Sequence, residues 1–536
     1  MHEVETVAAL LAVIGVVGVI SQRLPVAFPI LLVIVGMIIS FVPQIPQVKL
    51  DPNIVFFIFL PPLLYLDAIK TNWKELREVA DLVVLQAFGL VLVTVAAVAA
   101  AIHAVVPGMP WAVAFVLGAI VSPTDVIAAS ALSKEVILPK RLMNVIKGES
   151  LVNDATGLVA YQIAVAATVT GAFSISEASM RFLQLGLGGV ALGGILGLAL
   201  AKIRTHLDHG PVEIVVSLVS PFIVYLIAEH LHISGVLAVV TAGLILGWRG
   251  PTMLSSETRL QVNANWDTFA YILKGLSFLL MGMQLRQIVE TIKIHPISQI
   301  VLWVAVAAFA PIAIRFLWTF GVGFLYSKLR RQPVPTWQQL FIASWAGMRG
   351  VVSLAAALAL PLTEANGQPF PFRELLIFLT IVVIATTLLL QGVTLPFFLK
   401  KFDIEEPEDG IEANELKARL ILYKEAVRAI DVTARNNSID SDDPAFEKLL
   451  HYYLERAVAI SSDDVVDVHT TENWHLLKSA AIESQRRVLV SLRKNDKIVE
   501  SVFLRLQKEL DLEEVHAQHV STDLAATNTD AESNLS

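Results

Sequence analysis

Long apolar segments, each followed by a short polar loop, recur through the first 400 residues of this 536-residue chain. An α-helix needs about 20 residues to cross the ~30 Å hydrocarbon layer of a bilayer. The segments are close to that length, so the pattern predicts an all-α polytopic membrane protein with about 13 transmembrane helices. The predicted helices occupy approximately residues 5–22, 26–42, 53–68, 80–105, 111–132, 145–171, 180–202, 212–231, 233–248, 266–290, 297–326, 337–361 and 373–399.

The composition excludes several other classes of protein. Hydrophobic residues make up 55% of the chain and charged residues only 16%, whereas about a quarter of a soluble protein is charged. A single soluble core cannot absorb this much apolar sequence, because cores stop growing near ~250–300 residues. The chain has no cysteine, which rules out a disulfide scaffold, thiol catalysis and thiolate metal sites.

The distribution of basic residues predicts how the chain crosses the membrane. Loops after odd-numbered helices, with the start of the tail, carry 17 Lys and Arg, and loops after even-numbered helices carry 5. Cytoplasmic loops are the ones enriched in Lys and Arg. We therefore expect the N-terminus outside the cell and the C-terminus in the cytoplasm of a multi-pass plasma membrane protein.

The composition changes after Lys400-Lys401. Residues 401–536 carry a net charge of −12, and residues 1–400 a net charge of +4. We predict a transmembrane domain over 1–400, an acidic helical cytoplasmic domain over 401–518 with helices near 412–435, 444–460 and 473–515, and a disordered tail over 519–536. No nucleotide loop, metal cluster or nucleic-acid motif is recognisable in this tail, which leaves a regulatory ligand or protein as its possible partner.

Several ionisable or amide side chains fall inside the predicted membrane helices. Each ion costs at least ~2.5–3.5 kcal/mol at the bilayer centre, so a purely structural bundle would avoid most of them. The favoured interpretation is an ion or proton pathway, and the alternative is a set of salt bridges between helices. These residues are Asp67, Asp125, Glu149, Asn153, Asp154, Glu229, Lys274, Arg315 and Arg349.

The fifth predicted helix contains a break beside an acid, in the sequence Ser122-Pro123-Thr124-Asp125. Pro123 has no N–H, so the carbonyl of Ala119 loses its helical hydrogen bond. A broken helix at membrane depth is tolerated only where it faces protein or a wet cavity. Freed carbonyls next to a carboxylate are typical of cation sites in transporters.

The sixth predicted helix carries a second polar group, Glu149, Ser150, Asn153 and Asp154. Ser150 and Asp154 share one helix face, and Glu149 and Asn153 share the neighbouring one. Asp125 and Asp154 each lie about nine residues from the same loop, which puts both roughly 14 Å deep. These hard oxygen ligands suit an alkali cation or a proton rather than a transition metal.

Six motifs then indicate a family: FLPPLLYLDA (59–68), SPTD (122–125), GESLVND (148–154), AEHLHISGVLAVVTAGL (228–244), GMRG (347–350) and QGVTLP (391–396). Together they resemble sodium/proton antiporters of the first monovalent cation/proton antiporter family, the bacterial NhaP-type proteins related to eukaryotic sodium/hydrogen exchangers. The resemblance implies two inverted six-helix repeats, two broken helices crossing at the midplane, and a homodimer in the bacterial inner membrane.

The resemblance also implies roles for individual residues. Asp154 corresponds to the carboxylate that binds the ion and the proton, with Asp125, Thr124 and Ser150 as the other Na⁺ ligands. Asn153 corresponds to an amide that replaces a second aspartate of electrogenic relatives, which implies electroneutral exchange. Among the supporting charges, Arg315 corresponds to the arginine that pairs with Glu149, and Arg349 lies in the turn of the twelfth helix.

The implied activity is secondary active antiport of cytoplasmic Na⁺ or Li⁺ against external H⁺, with roles in pH and sodium homeostasis. No enzyme activity or cofactor is expected, and lipid and a second copy of the chain are the expected partners. The alternative in this class is K⁺/H⁺ antiport. An intramembrane aspartyl protease would need a GxGD motif, which the sequence lacks, and a channel would need a continuous pore rather than one deep site.

Two further patterns concern packing. Lys274 stands where many relatives have an uncharged amide, and Asp67 is its candidate partner. For these two, and also for Glu229, we favour a structural role over transport. Gly189, Gly193 and Gly197 recur every four residues, which predicts a face for close contact between helices.

Overall fold

The computed structural model describes residues 2–23, 28–42, 52–125, 140–171, 175–207, 209–292, 296–330, 335–365, 367–402, 409–440, 442–458 and 472–514. Nearly all regular structure in these ranges is helical. The pairing of Thr363 with Pro369 is the one isolated β-bridge among the described residues.

We label the helices of the first 402 residues α1–α15 in chain order. They are α1 His2–Ser21, α2 Phe28–Ser40, α3 Pro52–Lys70, α4 Trp73–Glu78, α5 Ala80–Val105, α6 Trp111–Val121, α7 Lys140–Thr170, α8 Ile175–Arg204, α9 Gly210–His230, α10 Gly235–Met253, α11 Ser256–Ile292, α12 Ile297–Arg330, α13 Trp337–Trp345, α14 Val351–Leu358 and α15 Arg373–Phe402. Two of them contain a turn of π-helix, at Leu85–Leu90 in α5 and Thr387–Gln391 in α15.

Every predicted membrane segment contains helix, but two segments are interrupted. The segment predicted over 111–132 stops being helical after Val121, and its residues 126–132 lie outside the described residues. The segment over 337–361 is divided into α13 and α14. Within the described residues, α5, α8, α9, α12 and α15 are long and apolar enough to cross a membrane. The total of thirteen crossings stays a prediction.

Close packing of α8 on α10 depends on glycine. A Cβ atom added at Gly193 would overlap the backbone of Ala238, and one added at Gly197 would press on Ala242. By contrast, a Cβ atom added at Gly194, the residue directly after Gly193, would meet nothing within 4 Å. The predicted glycine face is therefore confirmed, because only residues without a side chain let these two helix backbones approach so closely.

The chain divides into two compact units. The first contains Met1–Leu207, Val212–Met253 and Asn265–Glu406. The second contains Pro407–Ser536 together with two short segments from the earlier part of the chain, Asp208–Pro211 and Leu254–Ala264. The second unit thus includes the first nine residues of α11, which the sequence did not indicate.

The second unit is built from four further helices, α16 Asp409–Asn436, α17 Pro444–Val458, α18 Glu472–Lys494 and α19 at 500–514. Two groups of buried apolar side chains hold them together. One group joins α16, α18 and α19 and includes Leu422, Leu489 and Phe503; the other joins α16, α17 and α18 and includes Ile430, Tyr453 and Leu477.

One predicted feature of this unit is wrong. The periodicity over 473–515 predicted one helical segment, whereas residues 495–499 interrupt it. Asp496 there adopts a left-handed backbone conformation with φ of 59°, which a continuous helix cannot contain. The predicted disordered tail, 519–536, lies outside the described residues.

Candidate functional site

The first half of the site is the non-helical stretch that follows α6. The carbonyl of Ala119, which Pro123 leaves without a backbone donor, accepts a hydrogen bond from the Ser122 hydroxyl at 3.0 Å. A Cβ at Gly157 of α7 would overlap the Pro123 ring, so the break packs directly on α7. This contact presents Thr124 to the polar residues of α7.

The second half is the extended stretch between α13 and α14. The backbone N–H of Asp125 donates to the carbonyl of Met348 at 2.7 Å, so the two interrupted segments touch. A Cβ at Gly350 would overlap the carboxylate of Asp125. Glycine is therefore required at this position if Asp125 is to lie where it does.

Thr124 is the centre of a group of polar contacts with α7. Its carbonyl accepts a hydrogen bond from the Ser150 hydroxyl at 2.9 Å. Its own hydroxyl accepts from Nδ2 of Asn153 at 2.7 Å and donates to Oε1 of Glu149 at 3.3 Å. Thr124, Glu149 and Asn153 are each at most 3% exposed, so these bonds are shielded from solvent.

The direction of these hydrogen bonds orients the Asn153 amide. The Thr124 hydroxyl donates its one proton to Glu149, so a lone pair of that hydroxyl faces Asn153. Asn153 must then turn its NH₂ toward Thr124. Its Oδ1 is buried and has no hydrogen-bond partner among the described residues, which leaves an oxygen available to a ligand or water.

Three carboxylates lie within electrostatic range of one another beside this group. Asp154 is 6% exposed, follows Ser150 by one helical turn, and interacts with Asp125 and Asp67. Asp67 on α3 interacts in turn with Asp125, Lys274 and Lys70. The carboxylates therefore create a concentrated negative charge next to neutral oxygen donors.

Glu149 is neutralised by a buried arginine from α12. Arg315 is 2% exposed and grips both carboxylate oxygens, with Nη2 donating to Oε2 at 2.9 Å and Nη1 to Oε1. Its Nε and Nη2 also donate to the carbonyl of Ala343 near the end of α13, at 3.3 and 3.1 Å. One guanidinium thus fixes α7 and α13 against α12.

Arg349 binds the end of α6 in the way that Arg315 binds the end of α13, by donating to a backbone carbonyl. It is 1% exposed, and its Nε donates to the carbonyl of Val121 at 3.0 Å while Nη1 donates to Gly347 at 2.5 Å. Its backbone N–H donates to Oγ1 of Thr387, in the π turn of α15, at 3.2 Å. A cation is stabilising at the C-terminal end of a helix, where carbonyls lack partners.

Comparison with known proteins is consistent with this geometry. The sequence profile of the family described as "Sodium/hydrogen exchanger, transmembrane" matches residues 7–401. An uncharacterized Na⁺/H⁺ exchanger of Mycobacterium tuberculosis is 35% identical over 525 residues, which cover 95% of each chain. A sodium, potassium, lithium and rubidium/H⁺ antiporter of Bacillus pumilus is 35% identical over 439 residues, 79% of this chain and 65% of the relative.

The chain belongs to the sodium/hydrogen exchanger family. Its fold is similar to that of the sodium proton antiporter MjNhaP1 from Methanocaldococcus jannaschii, with a TM-score of 0.61 and 19% identity over 75% of this chain and 99% of the other. The resemblance inferred from the six motifs is thereby confirmed. The chain is accordingly a multi-pass membrane protein of a transporter family, not a member of an enzyme family.

The structure brings most of the predicted site residues into one region. Thr124, Asp125, Glu149, Ser150, Asn153, Asp154, Arg315 and Arg349 belong to it through the contacts above, and Asp67 and Lys274 join it by charge interactions. The predicted partners Asp67 and Lys274 do interact electrostatically.

The sequence analysis missed five partners in the site. They are the carbonyls of Val121, Ala343, Gly347 and Met348, and the hydroxyl of Thr387. A backbone carbonyl carries no signal in the residue type, so the four carbonyls could not be found from sequence. Thr387 had a weak signal, because it is a polar residue inside an otherwise apolar helix.

Proposed function

We propose that this chain is a secondary active antiporter that exchanges cytoplasmic Na⁺ or Li⁺ for external H⁺, one for one, and so serves pH and sodium homeostasis. The observation that carries the proposal is the convergence of two interrupted helices on α7, where the Thr124 carbonyl accepts from Ser150 and the Asp125 N–H donates to Met348. Such a site offers several oxygen ligands to one small cation.

Na⁺ binds at the carboxylates of Asp154 and Asp125, with oxygens of Ser150 and Thr124 completing the ligand set. The unpartnered Oδ1 of Asn153 supports a further oxygen contact. Carboxylate, hydroxyl and carbonyl oxygens are the hard donors that suit hard cations. The ions are the transported substrates, and no resident cofactor is required.

Exchange follows from competition at Asp154. A proton neutralises this carboxylate and removes the charge that holds Na⁺, so either ion binds but both do not. The helices around the site, α6, α7 and α12–α15, which we call the ion-site helices, then move to expose the loaded site to the other side. An unloaded site carries uncompensated buried charge, which is costly in a low dielectric, so it does not cross.

Glu149 and Arg315 hold the site in shape without taking part in the competition. The bidentate pair compensates the charge of Glu149 and fixes the Thr124 hydroxyl, and through it Asn153. Because Asn153 is an amide, it adds no second titrating group next to Asp154. This supports a stoichiometry of one proton for one cation. Asp67 and Lys274 contribute opposite charges at the edge of the site.

K⁺/H⁺ antiport is the second candidate. The B. pumilus relative is named for sodium, potassium, lithium and rubidium, and none of the ligand types in the site discriminates among these ions by chemistry alone. Selectivity depends instead on cavity size and ligand flexibility.

The same proposal includes the arrangement in the membrane. About 13 helices cross the bacterial inner membrane as two inverted repeats, with the N-terminus outside, the C-terminal unit in the cytoplasm, and two copies forming a dimer. The 17-to-5 distribution of basic residues supports the orientation, and the two interrupted segments on α7 support the repeats.

Purified protein in liposomes tests the proposal. We expect Na⁺ addition to collapse an imposed pH gradient with the wild type, and no collapse with Asp154→Asn, which cannot titrate. Asp267→Asn provides the matched control, since Asp267 is an exposed partner of Lys70, and it should exchange normally. Full exchange by Asp154→Asn would contradict the assignment, and a panel of Na⁺, Li⁺ and K⁺ decides the cation.

A further inference from the structure

Helix α14 begins without a capping side chain of its own. It spans Val351–Leu358, and its N-cap residue, Gly350, has an extended backbone and no side chain. The first N–H groups of an α-helix have no partner within the helix, which is why Ser, Thr, Asp and Asn are preferred at the N-cap. Since Gly350 is buried, another part of the chain must supply an acceptor to this helix end.

The carboxylate of Asp125 lies where that acceptor is needed. A Cβ atom added at Gly350 would overlap Oδ2, Cβ and Cγ of Asp125, so Asp125 occupies the position that a capping side chain would take. Its backbone is fixed there as well, since the N–H of Asp125 donates to the carbonyl of Met348 at 2.7 Å. The N-terminal end of a helix carries partial positive charge and stabilises an anion. The start of α14 therefore positions the Asp125 carboxylate.

One hydroxyl in the first turn of α14 is buried without a protein partner. Ser353 is 1% exposed, and its Oγ has no hydrogen-bond partner among the described residues. A serine within a helix can donate to the carbonyl four residues earlier, as Ser344 of α13 does to Leu340 at 2.7 Å. For Ser353 the residue four earlier is Arg349, which lies outside the helix. A buried hydroxyl left without a partner is unfavourable, so a ligand or water is expected beside it.

The position of Ser353 on α14 directs this hydroxyl toward the Asp125 end of the helix. The Cα–Cβ bonds of an α-helix tilt toward its N-terminus, and residues three apart are neighbours on the helix surface. Ser353 follows by three residues Gly350, the glycine against which the Asp125 carboxylate lies. The hydroxyl and the carboxylate therefore approach the same point, the start of α14.

The chemistry of this hydroxyl matches that of the cation ligands proposed above. Those ligands come from the stretch after α6, which contains Thr124 and Asp125, and from α7, which contains Ser150 and Asp154. A hydroxyl oxygen is a hard, uncharged donor that suits an alkali cation. An unpartnered hydroxyl on α14, next to one of the two carboxylates, has the properties of one more ligand for the same ion.

We propose that the Ser353 hydroxyl is a further oxygen ligand of the transported cation, supplied by α14 on the Asp125 side of the site. The inference rests on the proposed function, because the ion that Ser353 binds is the one that the protein exchanges. The hydroxyl carries no charge, so it contributes to cation binding and not to the competition between cation and proton at Asp154. Its loss should weaken Na⁺ binding and leave the maximal rate of exchange nearly unchanged.

Removal of the hydroxyl tests the proposal by the Na⁺ dependence of exchange in proteoliposomes. We expect Ser353→Ala to raise the half-maximal Na⁺ concentration several-fold, with little change in the maximal rate. Ser344→Ala is the matched control, because Ser344 is 0% exposed and its hydroxyl already has a backbone acceptor; its Na⁺ dependence should be that of the wild type. Equal Na⁺ dependence of the two variants would overturn the proposal.

A thiol at the same position gives a second test, because the chain has no cysteine of its own. Zn²⁺ binds cysteine thiolates and carboxylates together. We expect Zn²⁺ to raise the thermal unfolding temperature of purified Ser353→Cys above its effect on the wild type, and this gain to disappear when Asp125→Asn is added. Ser344→Cys should respond to Zn²⁺ as the wild type does. Equal Zn²⁺ responses of Ser353→Cys and Ser344→Cys would contradict the shared site.

The two tests separate this inference from the proposed function. Normal Na⁺/H⁺ exchange by the wild type, with an unchanged Na⁺ dependence in Ser353→Ala, contradicts the inference alone. Absence of exchange by the wild type contradicts the proposed function. The Zn²⁺ measurement needs no transport, so it decides whether residue 353 lies with the Asp125 carboxylate even for a variant that does not exchange.

Discussion

At the scale of single residues, the Thr124 side chain links the structural charges of the site to its ligands. Its hydroxyl donates to Glu149, which Arg315 holds, and accepts from Asn153. The Glu149–Arg315 pair therefore acts on the proposed Na⁺ ligands indirectly, by setting the direction of the Thr124 hydroxyl proton. The same hydroxyl decides which atom of the Asn153 amide is left without a protein partner.

Replacement of this hydroxyl has a specific expected effect. Thr124→Val keeps the shape but leaves Nδ2 of Asn153 buried without an acceptor, which costs about 1–3 kcal/mol. We expect the half-maximal Na⁺ concentration for exchange to rise about tenfold, which corresponds to ~1.4 kcal/mol.

Thr124→Ser is the control for that experiment, because it retains the hydroxyl and should stay close to the wild type. Exchange measured over a range of Na⁺ concentrations in proteoliposomes distinguishes the two variants. An unchanged Na⁺ dependence in Thr124→Val would show that the hydroxyl does not orient the ligands.

At the scale of elements, the two interrupted helical segments depend on different local causes. Pro123 ends α6 because it cannot donate a hydrogen bond, and Ser122 compensates the carbonyl of Ala119. Between α13 and α14 the chain contains glycines at 347 and 350, where side chains would collide with Arg315 and Asp125. Pro123 thus ends the first segment, and the second passes close to Arg315 and Asp125 because residues 347 and 350 have no side chains.

Because the two interrupted segments cross closely at Gly350, adding one methyl group there should have a large effect on exchange. Gly350→Ala places a Cβ on the Asp125 carboxylate, so Asp125 or the backbone must shift. We expect Na⁺-dependent exchange to fall at least tenfold, a loss equivalent to ~1.4 kcal/mol, within the ~1–3 kcal/mol typical of overpacking.

Gly321→Ala is the matched control, since a Cβ there meets nothing within 4 Å. This variant should exchange and unfold thermally like the wild type. Normal exchange by Gly350→Ala would show that Asp125 tolerates displacement, and would remove it from the proposed ligand set.

At the scale of the whole molecule, the net charge carried in one cycle is set by how many groups titrate at the site. In the proposed cycle the cation and the proton compete at Asp154, and neither Glu149, which Arg315 holds, nor the Asn153 amide takes part in that competition. The loaded states with Na⁺ and with H⁺ then carry the same charge. Movement of either across the membrane should be independent of the membrane potential.

This predicts electroneutral exchange. The initial rate of Na⁺-dependent proton movement should be the same in liposomes with an imposed potential of either sign and in liposomes clamped near zero. A membrane-impermeant pH dye gives the measurement. A rate that increases with one sign of potential would show that charge moves in the cycle and would contradict the one-for-one stoichiometry.

Several parts of this protein were predictable from properties of short stretches of the chain. Apolar length indicated the helices, and every predicted membrane segment does contain helix. The missing N–H of Pro123 indicated the end of α6, and the four-residue spacing of Gly193 and Gly197 indicated the contact with α10. In each case the property belongs to a short stretch of chain, so it can be recognised without knowledge of what lies opposite.

The amino-acid sequence by itself determined that this chain is a helical membrane protein with buried oxygen ligands. The apolar segments have the length of membrane helices, and placing an ionisable side chain at membrane depth costs so much free energy that each such residue indicates a functional or pairing role. Only the tertiary structure decided that Arg349 binds the carbonyl of Val121, that Gly350 lies against Asp125, and that Arg259 binds Asp511 from 252 residues away. These contacts depend on how distant helices pack, and the pattern of residues along one helix does not specify which atoms of another it will meet.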